Sequence, residues 1–128
     1  RSKIDWLSRD AAEGDKYLAD PLCGFVCTDG FFRDLLGGFD LVYGEGGALS
    51  RIPARLPVLV MAGEADPCGG ARGFAGTLAG KLRAAGLADL SEKTYPGARH
   101  EILNETNRDE VERDLAAWLE AKASAARP

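Results

Sequence analysis

The sequence is short of cysteine, of positive charge and of long apolar runs. Its three cysteines, Cys23, Cys27 and Cys68, are odd in number and fall at no zinc-ligand spacing. That excludes a disulfide framework, which a chain of this size does not need, and predicts a reducing, cytoplasmic setting. Sixteen lysines and arginines against twenty acidic residues leave a formal charge of -4. No basic cluster interleaves with aromatics, so the footprint of a nucleic-acid binder is missing. The longest uncharged apolar run, residues 56–63 with Pro57 inside it, falls far short of the ~18 to 20 residues that span a bilayer. No transmembrane helix is expected.

What is present is ordinary globular material. The 128 residues are 45% hydrophobic and 28% charged, which suits one soluble domain and argues against disorder. The chain opens on Arg1 without a methionine or a leader, and its start therefore reads as cut.

Two regions differ in pattern. Residues 1–50 hold short apolar clusters separated by loops, which predicts a small helical segment with helices over 10–19 and 29–36. Pro21 should stop the first and Gly37-Gly38 the second, and residues 44–48 read as a mobile loop. Residues 51–128 read as β-α-β-α. The run 57–62, Pro-Val-Leu-Val-Met-Ala, is apolar without alternation, as in a parallel strand covered on both faces, and is expected to be central in its sheet. Phe74, Leu78 and Leu82 recur every four residues in a helix over 71–85, with Gly86 at its stop. A less hydrophobic strand follows at 90–95, nearer an edge, and Asn107 with Glu110 opens a last helix carrying Val111, Leu115, Trp118 and Leu119 on one face. Two consecutive strands joined through a helix should run parallel.

Catalytic groups in open α/β sheets gather at the carboxyl ends of the strands. The loop after the first strand carries Asp66, and the loop after the second carries His100, the sole histidine. An imidazole takes and returns a proton near neutral pH, and a carboxylate on its other nitrogen fixes the tautomer and stabilises the imidazolium. Such a pair is two thirds of a triad. A lone histidine after a strand is by itself more often structural.

The segments Gly63-Glu64-Ala65-Asp66-Pro67 and residues 95–105, Tyr-Pro-Gly-Ala-Arg-His-Glu-Ile-Leu-Asn-Glu, followed by an amphipathic helix, closely resemble the C-terminal half of α/β-hydrolases. The nearest branch is similar to lysophospholipase and monoacylglycerol-lipase-like serine hydrolases, grouped with the serine aminopeptidases. Residues 6–10 and 20–25 resemble that branch's cap. The resemblance implies an α/β fold, two parallel strands with flanking helices, preceded by a cap over 1–50. It also implies Asp66 and His100 as triad acid and base, a lipid-like or small acyl ester as substrate, and no metal or organic cofactor. The branch's nucleophile is a serine in a G-x-S-x-G elbow that precedes the acid in chain order. None of Ser2, Ser8, Ser50, Ser91 and Ser124 lies in such an elbow; residues 47–51 come nearest and lack the second glycine. The chain is therefore expected to be the later part of a longer hydrolase, inactive alone, and to form a homo-oligomer through its first strand's open edge. A peptidase or amidase of the same superfamily, or a non-catalytic binding module, is the alternative.

Phe25, Phe31, Phe32 and Phe39 are candidates to line an acyl pocket, or equally to pack the cap. Cys23 and Cys27 have no second ligand pair and read as small cap residues. Glu64 and Glu101 read as solvated or ion-paired. Arg99 and Arg108 are expected to pair with Glu101, Asn104 or Glu105 and so hold the histidine loop.

Overall fold

The computed structural model describes residues 3–69 and 73–125. The start of the expected 71–85 helix and the candidate Ser2 lie outside these residues, as does the side chain of Phe74. The element order is α1 (Ala11–Ala19), α2 (Asp29–Tyr43), a 3-10 turn (Ala48–Arg51), β1 (Val58–Gly63), α3 (Phe74–Ala84), β2 (Leu90–Tyr95), a second 3-10 turn (Ile102–Asn104) and α4 (Arg108–Ala125).

Local chemistry sets most boundaries. Asp10 caps α1 by accepting from the Ala12 amide at 3.0 Å, and Pro21 holds Asp20 extended at φ -82°, ψ 118°, where the helix ends. Thr28 caps α2 through the Phe31 amide. That helix does not stop at Gly37-Gly38 but continues to Tyr43. Each glycine costs about 1 kcal/mol in a helix interior, and the apolar stripe continuing through Phe39, Val42 and Tyr43 outweighs it, since the last two cover a cavity beside β1. The stop comes at Gly44, followed by a turn with Gly46 at φ +68°. At the end of α3, Gly86 takes φ +94°. The Leu87 amide donates to the Leu82 carbonyl and the Gly86 amide to that of Arg83, a Schellman closure in which Leu82 and Leu87 are both buried.

β1 and β2 pair in parallel with Val58 opposite Leu90 and Gly63 opposite Tyr95. The α/β class is thus realised as two parallel strands with flanking helices. β1 has only β2 as a neighbour among the described residues and is half-buried rather than enclosed on both sides. No described segment pairs with its other edge. α3 buries Ala79 and Leu82. From α4, Val111 meets Tyr95 and Ala98 in a core that Met61 and Ile102 complete.

Candidate active site

Because the two strands are parallel and in register, their carboxyl ends leave the sheet side by side. The chain after β1 and the chain after β2 bond to one another at once: the Glu64 amide donates to the Tyr95 carbonyl at 3.0 Å and the Ala65 amide to that of Ala98 at 2.8 Å. Such proximity needs a glycine at the end of β1, since a β-carbon on Gly63 would overlap the Ala98 and Arg99 carbonyl oxygens. Gly97, at φ +69°, turns the second loop back over the first.

The result joins the two residues the loops were expected to contribute. Asp66 Oδ2 lies 3.0 Å from His100 Nδ1. Its other oxygen accepts the Cys68 amide at 2.8 Å, an Asx turn that fixes the carboxylate plane. The acid is almost covered, its side chain 9% exposed, whereas the imidazole is 44% exposed. A shielded carboxylate behind an accessible imidazole is an arrangement able to present one ring nitrogen to a reactant and stabilise the charge that develops on it.

The imidazole is also held from its far side. The His100 and Glu101 amides donate to the Trp6 and Leu7 carbonyls, and the Trp6 ring lies 4.9 Å from the His100 ring, centroid to centroid. Beneath this contact stands Glu105, fully buried. Its carboxylate accepts from the amides of Arg9, Arg99 and Thr106 and from Arg9 Nε at 2.7 Å. Burial would raise this carboxyl, but the Arg9 guanidinium and the three amides prevail and hold it below the ordinary glutamate value of 4.5. One carboxylate thereby locks the residue before His100 to the segment that carries Trp6. The sequence points to Glu105 as a partner of Arg99 or Arg108 but carries no signal for Arg9, 96 positions away.

Several supporting roles fall differently from expectation. The Arg108 guanidinium pairs with Asp10 at 2.8 Å and Glu13 at 3.2 Å at the start of α1, and only its backbone amide reaches the histidine loop, donating to the Glu105 carbonyl at 3.0 Å. The Arg99 guanidinium binds the Asp5 and Ser8 carbonyls, and only its backbone amide reaches Glu105. Glu101 takes the Asn104 amide group, and Glu64 accepts from the Gly97 amide. Asn107 and Glu110 meet side chain to side chain at 2.8 Å. Cys23, Cys27 and Cys68 are free thiols, the first two half-buried and the third exposed.

An apolar cavity of about 580 Å³ opens beside the pair. Its walls are Val42 and Tyr43 of α2, Leu49, Ile52 and Leu56 of the connection, β1 from Val58 to Ala62, and Leu78 and Leu82 of α3, with Asp66 and His100 at one end. Phe31, Phe32 and Phe39 stand about half-exposed on α2 and Phe25 is 72% exposed. None of these four lines the cavity; Phe39 only meets its wall residue Tyr43, the ring centroids 6.3 Å apart. The hydroxyls of Ser8, Ser50 and Ser91 are engaged with the Asn104 carbonyl, the Gly47 carbonyl and the Trp118 indole. No helix among the described residues is long and apolar enough to cross a membrane.

The fold has known relatives. A carboxyl esterase described as highly thermostable, from Bacillus coagulans and solved in complex with glycerol, superposes with a TM-score of 0.73 at 24% identity over 94% of this chain. The chain spans 39% of that esterase's length, and at this identity the likeness is one of fold. Residues 1–107 match the sequence profile described as serine aminopeptidase, S33. With most of its length matched, the chain belongs to the serine aminopeptidase S33 family of α/β-hydrolases.

Proposed function

We propose that this chain carries the acid and the base of a serine-hydrolase triad acting on carboxylic esters, with the nucleophilic serine and the oxyanion donors supplied by sequence upstream of Arg1. The observation that carries the reading is the 3.0 Å contact between a nearly covered Asp66 carboxylate and Nδ1 of an exposed His100. With Nδ1 committed to Asp66, Nε2 takes the proton of the serine as it attacks the carbonyl carbon. It then returns that proton to the departing alkoxide, leaving an acyl-enzyme. Water repeats the cycle to release the acid and restore the serine.

The likeness of residues 63–67 and 95–105 to the lysophospholipase and monoacylglycerol-lipase branch favours a small acyl or lipid-like ester as the substrate. In this reading residues 1–50 form the cap, residues 51–128 the later part of the hydrolase core, and Phe25, Phe31, Phe32 and Phe39 extend the apolar surface. Three free thiols support a reducing, cytoplasmic setting. The family's own description favours a second reading, hydrolysis of amides or peptides by the same machinery.

Labelling with a fluorophosphonate tests the proposal. The complete protein should be labelled and its His100→Ala variant should not, whereas equal labelling of both removes His100 from the triad. Competing p-nitrophenyl esters against aminoacyl anilides then separates the ester from the amide reading.

A further inference from the structure

We propose that Asp66, Cys68 and His100 form a binding site for a divalent cation of the zinc class, distinct in chemistry from the hydrolytic role of the same two loops. One ligand atom from each, a carboxylate oxygen, the Cys68 Sγ and an imidazole nitrogen, lie within 4.8 Å of one another. Zinc bonds of about 2.0 to 2.3 Å place tetrahedral ligand atoms about 3.3 to 3.6 Å apart. The observed cluster is up to about 1.2 Å wider than a coordination face, so binding requires the exposed Cys68 and His100 side chains to close in.

Three features pre-arrange it. The Asx turn between Asp66 Oδ1 and the Cys68 amide sets two ligands on one tight loop. The third is steered by the Trp6 ring and by backbone bonds on either side of His100. Cys68 and His100 are exposed while Asp66 is partly covered, so a cation can enter and keep water in its fourth position. The donor set decides the class: sulfur with nitrogen and one oxygen suits zinc or cobalt(II) and disfavours magnesium and calcium, which take all-oxygen shells. On binding, the Cys68 thiol loses its proton to solvent, and the thiolate and the Asp66 carboxylate together balance the dipositive charge. A cation on the imidazole occupies a lone pair or displaces the hydrogen bond to Asp66, so metal binding and general-base action exclude one another.

The test uses this chain and cobalt(II) or zinc alone, with no substrate. Cobalt(II) titration should give one equivalent bound, with a near-ultraviolet sulfur-to-cobalt charge-transfer band and visible bands of tetrahedral strength. Cys68→Ser should abolish the charge-transfer band and, with His100→Ala, weaken zinc binding in calorimetry about tenfold or more. The double variant Cys23→Ser, Cys27→Ser should leave both unchanged. Circular dichroism checks that each variant keeps its fold; Cys68 is exposed, so serine there has no packing to disturb. No saturable binding up to about millimolar metal (a free energy of about -4 kcal/mol), an undiminished band in Cys68→Ser, or a band lost only in the Cys23, Cys27 variant overturns the site. None of these readouts involves ester turnover, so failure of the hydrolytic reading leaves this one standing, and the reverse.

Discussion

Gly63 lies hard against Ala98, so closely that a single methyl group on the glycine would overlap the Ala98 carbonyl oxygen. The obstruction is backbone, which cannot rotate away as a flexible side chain would. Because Gly63 is the last residue of β1 and Ala98 lies two before His100, this contact sets the spacing between the acid loop and the histidine loop.

Gly63→Ala should therefore push the two loops apart. Overpacking of this kind costs about 1 to 3 kcal/mol, readable as a lower urea midpoint for the chain. In the complete protein the same change should lower turnover about a hundredfold, as displacements near 1 Å do. Unchanged stability and turnover together would show that the 98–99 backbone relaxes freely.

His100→Ala and Asp66→Asn in the complete protein should each cut ester turnover by roughly three to four orders of magnitude. Folding should barely change in the first, since the imidazole is 44% exposed. Steady-state kinetics with a p-nitrophenyl ester, alongside thermal melts, checks both halves. Residues 1–128 on their own should show no turnover above background, because their sequence holds no G-x-S-x-G elbow.

Glu105 predicts an acid-sensitive loop. Its folded-state carboxyl sits below the ordinary 4.5, so its stabilisation is complete above that value and is lost as pH falls through the lower, folded-state value. Asp114, lowered by the Tyr95 hydroxyl and Lys93, acts in the same direction. Glu105→Gln removes the charge that Arg9 faces and should flatten part of the acid limb of a pH–stability curve. Glu105→Ala leaves buried donors unpaired and should cost about 3 to 5 kcal/mol at neutral pH. Urea unfolding between about pH 7 and about pH 3.5 distinguishes them; an acid limb unaltered in the glutamine variant would assign the sensitivity elsewhere.

The site and the strands were legible in the sequence to different depths. β2 was bounded at 90–95 because an alternating segment ending in Pro96-Gly97 leaves few choices, and Asp66 and His100 followed from where parallel strands end. Gly37-Gly38 reads as a stop because local propensity, about 1 kcal/mol per glycine, carries no trace of the tertiary cover that Val42 and Tyr43 gain beside β1. Glu105 and Arg9 join across 96 positions, and Cys68 meets His100 only when both loops are in place. Spacing rules read neighbours along the chain, and these relationships exist only between loops that the fold brings together.

Self-association is the last expectation. β1 has one hydrogen-bonded neighbour among the described residues, β2, and its other edge carries the main-chain groups of Val58, Leu59, Val60 and Met61 beside a cavity of about 580 Å³. Val42, Tyr43, Leu49 and Ile52 stand across that cavity without closing it, leaving the strand half-buried. An uncharged edge of this kind recruits another strand, and a two-stranded sheet is marginal without further cover. Two copies meeting through β1 about a two-fold axis would form a continuous four-stranded sheet, antiparallel at its centre, with β2 at each outer edge. Light scattering at micromolar concentration should therefore report about twice the monomer mass, and Val60→Lys, which places a charge on the strand, should return the chain to monomer. A stable monomer at that concentration would instead mean that α2 and the 3-10 turn after it close over β1 in solution.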